Sequence, residues 1–246
     1  MRQVRAYAHR GGTETAPENS LAAFQAAAAA GYVDLETDVR GTRDGVAVLC
    51  HDATLDRTTD RTGRVRDLTW SEVRRARIGG TEPMLRLEEL LEALPDQRVN
   101  LDLKEPAAIA PLADALARTG AQDRVCLTSF STVRLQAARR ALPGVATAAG
   151  PREVLAALAA SRGRGGHPRR PARLQVPERV FGRRLLDRRF LDSAQSAGLP
   201  VDVWTVNERA DMERLLDWGV DGLMTDRPAL LREVMVERGC WEGREA

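Results

Sequence analysis

Eight short apolar runs alternate with alanine- and leucine-rich amphipathic stretches along almost the whole chain, and this alternation constrains the fold more than any other feature. The strand-like runs cover residues 4–8, 33–39, 99–103, 125–128, 145–148, 173–176, 201–205 and 222–225. Helical periodicity fills 21–30, 87–94, 111–119, 132–142, 154–162, 190–197, 208–218 and 228–238. Each helical stretch ends at a glycine or proline, among them Gly31, Pro95, Gly120, Gly198 and Gly219. Asn207 is placed to cap the seventh helix, and Pro228 to open the eighth. Eight strand–helix units in 246 residues have the size and rhythm of a closed (β/α)8 barrel. The expectation is a single α/β domain over residues 1–246, a TIM barrel. A doubly wound sheet competes with it, but that fold needs a G-x-G-x-x-G loop after its first strand, and His9-Arg10-Gly11-Gly12 lacks the spacing.

One connection breaks the rhythm. Between the second strand and its helix lie residues 40–86, too many for an ordinary βα loop. The segment holds a turn at Asp44-Gly45, an apolar run over 46–50, then His51, and a capping box, Thr69-Trp70-Ser71-Glu72. It is expected to form a small inserted subdomain over the C-terminal mouth of the barrel. A second irregular segment, 161–171, is basic and rich in glycine and proline. It has no aromatic residue to stack a base and reads as a solvated loop.

A net charge of +2 gives no reason to expect nucleic acid as a partner. No apolar run approaches the roughly 20 residues of a membrane span, and the first strand begins too early to leave room for a signal peptide. Cys50, Cys126 and Cys240 cannot pair evenly and have no metal-ligand spacing, which suits a reducing compartment. The expected location is the cytoplasm. No feature specifies an oligomeric state. Of 37 basic residues only Lys104 is lysine. Its survival in so arginine-rich a chain points to a place that needs a compact ammonium rather than a planar guanidinium.

The chemistry sits at the strand ends, which in a barrel converge on one face. His9 closes the first strand. Glu36 and Asp38 lie near the end of the second, two residues apart and so on one side of it. Asp102 and Lys104 repeat that spacing at the end of the third. Three carboxylates on neighbouring strands make a hard, oxygen-rich site suited to Mg²⁺ or Ca²⁺, with Mn²⁺ also allowed. His9 and His51 supply a proton donor and a proton acceptor, the remaining parts needed to cleave a phosphodiester beside a divalent cation. Arg10 can hold phosphate oxygens through two N–H groups. Asp52 can orient the His51 ring and stabilise its charged form. His167 lies in the 161–171 loop and is expected to be inert. Asp34 shares the parity of Glu36 but lies at the far end of its strand and is left out of the site.

These runs carry a family resemblance. His9–Gly11, Pro17–Ser20, Glu36–Val39, Thr42–Gly45, His51-Asp52, Leu55–Thr59, Asn100–Lys104, Val203–Asn207 and Asp221–Pro228 occur in order over nearly the whole chain. Together they resemble the glycerophosphodiester phosphodiesterases, TIM barrels that use a divalent cation to release an alcohol and glycerol phosphate. The resemblance implies His9 and His51 as the acid/base pair, Arg10 and Lys104 on the phosphate, and Glu36, Asp38 and Asp102 as metal ligands. Asp102 stands where most members carry glutamate. Trp204 matches an aromatic residue of the substrate pocket; a packed core tryptophan is the competing reading. Asn207 needs to do no more than cap its helix.

The implied substrate is a small glycerophosphodiester, attacked by water or by its own glycerol hydroxyl. Which histidine is acid and which is base stays open at this level. A lysophospholipase D-like activity would need an apolar entry for an acyl chain, and the polar 52–86 arm argues against one. A non-catalytic phosphate- or metal-binding barrel is the reading from a different class, and the complete set of side chains argues against it.

Overall fold

The computed structural model describes residues 4–169, 171–180, 182–241 and 243–244. Eight parallel strands form the barrel: β1 (Arg5–His9), β2 (Asp34–Gly41), β3 (Arg98–Leu103), β4 (Val125–Thr128), β5 (Ala146–Thr147), β6 (Leu174–Pro177), β7 (Val201–Trp204) and β8 (Gly222–Thr225). They pair in the order β5-β4-β3-β2-β1-β8-β7-β6. The ring closes between β5 and β6. There the Ala149 N–H donates to the Arg173 carbonyl at 2.8 Å, and the Ala172 N–H donates to the Thr147 carbonyl at 2.8 Å. This is the barrel that the alternating pattern predicts, with β5 shorter than the apolar run over 145–148.

Eight helices follow the strands: α1 (Leu21–Ala29), α2 (Leu87–Ala93), α3 (Ile109–Thr119), α4 (Thr132–Ala141), α5 (Pro151–Ala160), α6 (Arg188–Ser196), α7 (Arg209–Trp218) and α8 (Pro228–Glu237). Local chemistry sets their ends. The Ser20 hydroxyl accepts from Ala23 N–H at 3.2 Å to open α1, and Asp187 accepts from Phe190 N–H at 2.8 Å to open α6. Gly120 ends α3 at φ +63°, a left-handed conformation that costs glycine little. Their apolar stripes turn inward, as with Leu112, Ala115 and Leu116 of α3 and Phe190, Leu191 and Ala194 of α6. The seventh helix departs from expectation. Its N-cap is Glu208, and the Asn207 side chain is turned elsewhere.

Between β2 and α2 the chain makes a detour. Gly45 turns it at φ +77°, and a short strand, Ala47–Leu49, runs back antiparallel to β2. A helical turn, Trp70–Val73, follows the expected capping box, with Thr69 N–H donating to Glu72 Oε2 at 2.8 Å. Val48, Cys50, Leu55, Val65, Val73, Ala76, Ile78 and Met84 form a buried cluster separate from the two clusters of the barrel. In the loop at 161–171, residues 162–166 are exposed and Arg170 lies outside the described residues. His167 bonds to Ser193 on α6 through Nε2 at 2.9 Å. Asp34 is held at the opposite end of β2 by a two-point pair with Arg98, at 2.7 and 2.6 Å.

Candidate active site

The parallel register gathers the strand-end residues as their spacing predicts. His9 is paired across from Glu36, and Asp38 from Asp102. Glu36, Asp38 and Asp102 are each at least 96% buried. Burial pushes the Glu36 carboxyl up to about 7, reinforced by Asp38 and Asp102 and opposed by the His9 charge. Burial raises Asp102 as well, against the pull of Lys104. In Asp38 burial is outweighed by Lys104 and Arg10, which hold it below the usual carboxylate range.

Lys104, the one lysine of the chain, lies within this cluster. Its ammonium lies 2.8 Å from Asp38 and 2.5 Å from Asp102, bridging two strands. Among the described residues no three histidine, cysteine or acidic side chains already stand in one coordination shell, and Lys104 and Arg10 are the cations set against the cluster. The donors nevertheless suit a hard divalent ion. All three are carboxylates, and Asp102 Oδ1 is buried with no hydrogen-bond partner.

Arg10 reaches the cluster through an unusual turn. Its φ is +53°, followed by Gly11 at +83° and Gly12 at +87°. A side chain pays about 1 kcal/mol for that conformation, and the surroundings hold it there. The Arg10 N–H donates to Glu36 Oε2 at 3.2 Å, and the guanidinium meets Glu18 and Asp38, each at 3.1 Å. Gly11 permits the turn, since a Cβ there would lie 2.9 Å from Ala23.

Each histidine is anchored by a carboxylate. His9 Nδ1 donates to Asp226 Oδ1 at 2.6 Å, leaving Nε2 3.7 Å from Glu36. Burial works against the charged His9 ring, but Glu36 and Asp226 more than offset it and its pKa rises. His51, carried by the detour, donates from Nδ1 to Asp52 Oδ1 at 2.6 Å. Arg57 clamps Asp52 at 2.6 Å and reaches Glu18 at 2.8 Å, and the Asp52 carboxyl falls well below its usual range, chiefly through that Arg57 bond. Arg40 fixes the His51 carbonyl with bonds of 3.1 and 2.7 Å.

Trp204 stands at the end of β7, half-buried, its ring edge-to-face with Phe130 at 5.3 Å. Phe130 is 62% exposed, and the Lys104 ammonium lies 5.5 Å from its ring centre. Trp204 is therefore at the mouth and not in the core.

The model of the glycerophosphoryl diester phosphodiesterase family matches residues 9–230. The chain belongs to that family. A probable glycerophosphodiester phosphodiesterase 2 of Mycobacterium tuberculosis is 43% identical over 97% of this chain and 93% of its own. A glycerophosphodiester phosphodiesterase of Caldanaerobacter subterraneus is 30% identical over 94% of this chain and 98% of its own. A putative glycerophosphoryl diester phosphodiesterase from Silicibacter pomeroyi, solved as a crystal structure, superposes with a TM-score of 0.83 at 25% identity, covering 97% of this chain and 95% of that one. The chain is thus an enzyme, a glycerophosphodiester phosphodiesterase.

Several residues of the candidate site are not assigned to it in the sequence reading. Asp226 directly follows β8, and the β8–β1 pairing brings it beside His9. Asn207 donates to Asp226 Oδ2 at 2.8 Å and accepts the Asp226 N–H at 2.9 Å, so it fixes that carboxylate and is not a helix cap. Asn19, at φ +60°, donates to Asp38 at 3.1 Å and accepts from Thr37 at 2.7 Å. Glu18 and Arg57 link Arg10 to Asp52. A signal was present for all five, which fall within the family-like runs 17–20, 55–59, 203–207 and 221–228.

Proposed function

We propose that this enzyme hydrolyses glycerophosphodiesters to an alcohol and sn-glycerol 3-phosphate by paired histidine acid–base catalysis at a divalent-cation site. The observation that carries this reading is the pairing of His9 and His51, each with Nδ1 tied to a carboxylate at 2.6 Å, around a buried carboxylate cluster. An Nδ1–H bond of this kind fixes the tautomer and leaves Nε2 to take or give a proton.

Glu36, Asp38 and Asp102 would hold Mg²⁺ or Ca²⁺, with Mn²⁺ also suited. Bound there, the cation would neutralise the phosphate and the charge that grows on its oxygens. Arg10 and Lys104 share that task from the protein side, as fixed donors in a poorly solvated site. One histidine takes the proton of the nucleophile through Nε2, and the other protonates the leaving alkoxide. Asp226 and Asp52 hold the rings in place and stabilise the imidazolium form. Trp204 and Phe130 form an apolar wall beside the phosphate.

We read residues 40–86 as a subdomain inserted in a single barrel domain, supported by its separate buried cluster. The substrate is a small polar diester. No helix among the described residues is long and apolar enough to cross a membrane, and a cytoplasmic place suits the three free cysteines. Turnover of glycerophosphocholine with and without Mg²⁺ or Ca²⁺, followed by glycerol 3-phosphate release, tests the reading. No release with any cation would overturn it.

A further inference from the structure

A cavity of about 590 Å³ opens at the barrel mouth between the ends of β6 and β7. Trp204 forms one wall, so the cavity adjoins the aromatic pair that leads to Lys104. Its charged lining is three arginines, Arg179, Arg184 and Arg214, against two carboxylates, Glu178 and Asp211.

The charges are unequally engaged. Arg214 takes both carboxylates, with Glu178 at 2.8 Å and Asp211 at 2.6 Å, and packs 5.2 Å from the centre of the Trp218 ring. Its Nη1 is nonetheless buried with no acceptor. Arg184 is 3.6 Å from Glu178, beyond hydrogen-bond length, and its side chain is 46% exposed. Arg179 bonds to the Gly182 carbonyl at 3.3 Å and, among the described residues, has no carboxylate partner. A cavity so lined offers guanidinium donors in excess over acceptors. It favours an anion with several oxygens and disfavours a quaternary ammonium.

We propose that this cavity is a head-group subsite for diesters whose alcohol carries a second anionic group, such as a phosphorylated glycerol or polyol. The inference rests on the hydrolytic reading above and narrows its substrate class. The scissile phosphate would lie at Arg10 and Lys104, and the head group would pass along Trp204 to place its phosphate against Arg179 and Arg184. The two phosphates are then held by separate cationic groups on opposite sides of one aromatic wall.

The test compares three compounds: glycerophosphoglycerol, glycerophosphocholine, and glycerophosphoglycerol phosphorylated on the head-group glycerol. Steady-state kinetics and calorimetric binding are measured in parallel on wild type and on the double variant Arg179→Gln/Arg184→Gln, with thermal melting to confirm folding. Wild type is expected to favour the phosphorylated compound over glycerophosphoglycerol by about tenfold or more in kcat/KM, the scale of one charge-assisted contact. The preference should shrink with added salt, and in the double variant it should fall by about that factor. Turnover of all three without this preference, or with a preference that the double variant keeps, would overturn the subsite and leave the hydrolytic reading standing. No turnover, but preferential binding of the phosphorylated compound that the variant loses, would overturn the hydrolytic reading and leave the subsite. Neither turnover nor preferential binding would overturn both.

Discussion

His9 and Asp226 lie 217 residues apart in the chain and are joined by a 2.6 Å hydrogen bond. The bond fixes which ring nitrogen carries the proton, and with Glu36 it raises the His9 pKa against the effect of burial. Asp226→Asn keeps the size of the side chain and removes its charge. The His9 pKa should fall, read by NMR among only three histidines. Activity should drop roughly tenfold to a hundredfold, the usual cost of removing a carboxylate that orients a working histidine. An unmoved His9 titration would show that Asp226 does not set its proton.

His9→Ala and His51→Ala should each lose roughly 10²–10⁴ in kcat, the range of general acid–base catalysis. Both side chains are partly exposed at the mouth, so the fold should survive, as circular dichroism and melting would record. A variant with near-normal kcat would remove that histidine from the acid–base pair.

Chelation followed by dialysis should abolish activity, and Mg²⁺, Mn²⁺ or Ca²⁺ should restore it. Binding should also show without substrate. An ion at about 100 times its Kd stabilises the folded state by roughly 2.7 kcal/mol, a measurable rise in melting temperature. Asp102→Asn should weaken that rise. Full activity in excess chelator would exclude the cation site.

Lys104→Arg should be nearly as impaired as Lys104→Met. The ammonium sits within 2.8 Å of both Asp38 and Asp102, and a planar guanidinium cannot take that place without moving one of them. Steady-state kinetics on the two folded variants decides it, and wild-type rates for Lys104→Arg would refute the steric argument.

The metal-free protein should lose stability as pH rises. Glu36 has a folded pKa of about 7 against 4.5 when unfolded, so between those values the folded state binds more protons. His9 is also raised, and its contribution, present below its unfolded value of 6.5, is lost as pH passes its folded pKa. Both act in the same direction. The unfolding free energy from denaturant titrations in chelator should fall between about pH 5 and pH 8 by an amount on the order of 1–3 kcal/mol. Glu36→Gln should remove most of that slope.

The legible part of the molecule was the part set by short-range periodicity. Glu36 with Asp38, and Asp102 with Lys104, are readable as inward pairs because a strand alternates every residue. The eight strand–helix units are readable for the same reason. Asp226 is different: it lies far from His9 in sequence, and only the β8–β1 pairing joins them. Asn207 was misread because a polar residue between a strand and a helix serves equally well as a cap or as an inward-facing donor. Arg57 depends on the path of residues 52–57 over the mouth, which no period encodes. The Lys104 bridge to Asp38 needs the register between β2 and β3, and its rarity in the composition was the only hint.

The barrel wall is uneven. From β2 to β3 the ladder runs through six paired positions, Asp34↔Arg98 to Val39↔Leu103. Where β5 meets β6 the join is one bridge, Ala148↔Arg173, with the bonds beside it. The proposed reacting groups His9, Glu36, Asp38 and Asp102, with Asp226, all lie on the side of the long ladders, opposite that join. Local opening of the wall should thus concentrate at the β5–β6 join, away from the carboxylate cluster, so that the half carrying His9 and the three carboxylates can stay still while the far half flexes.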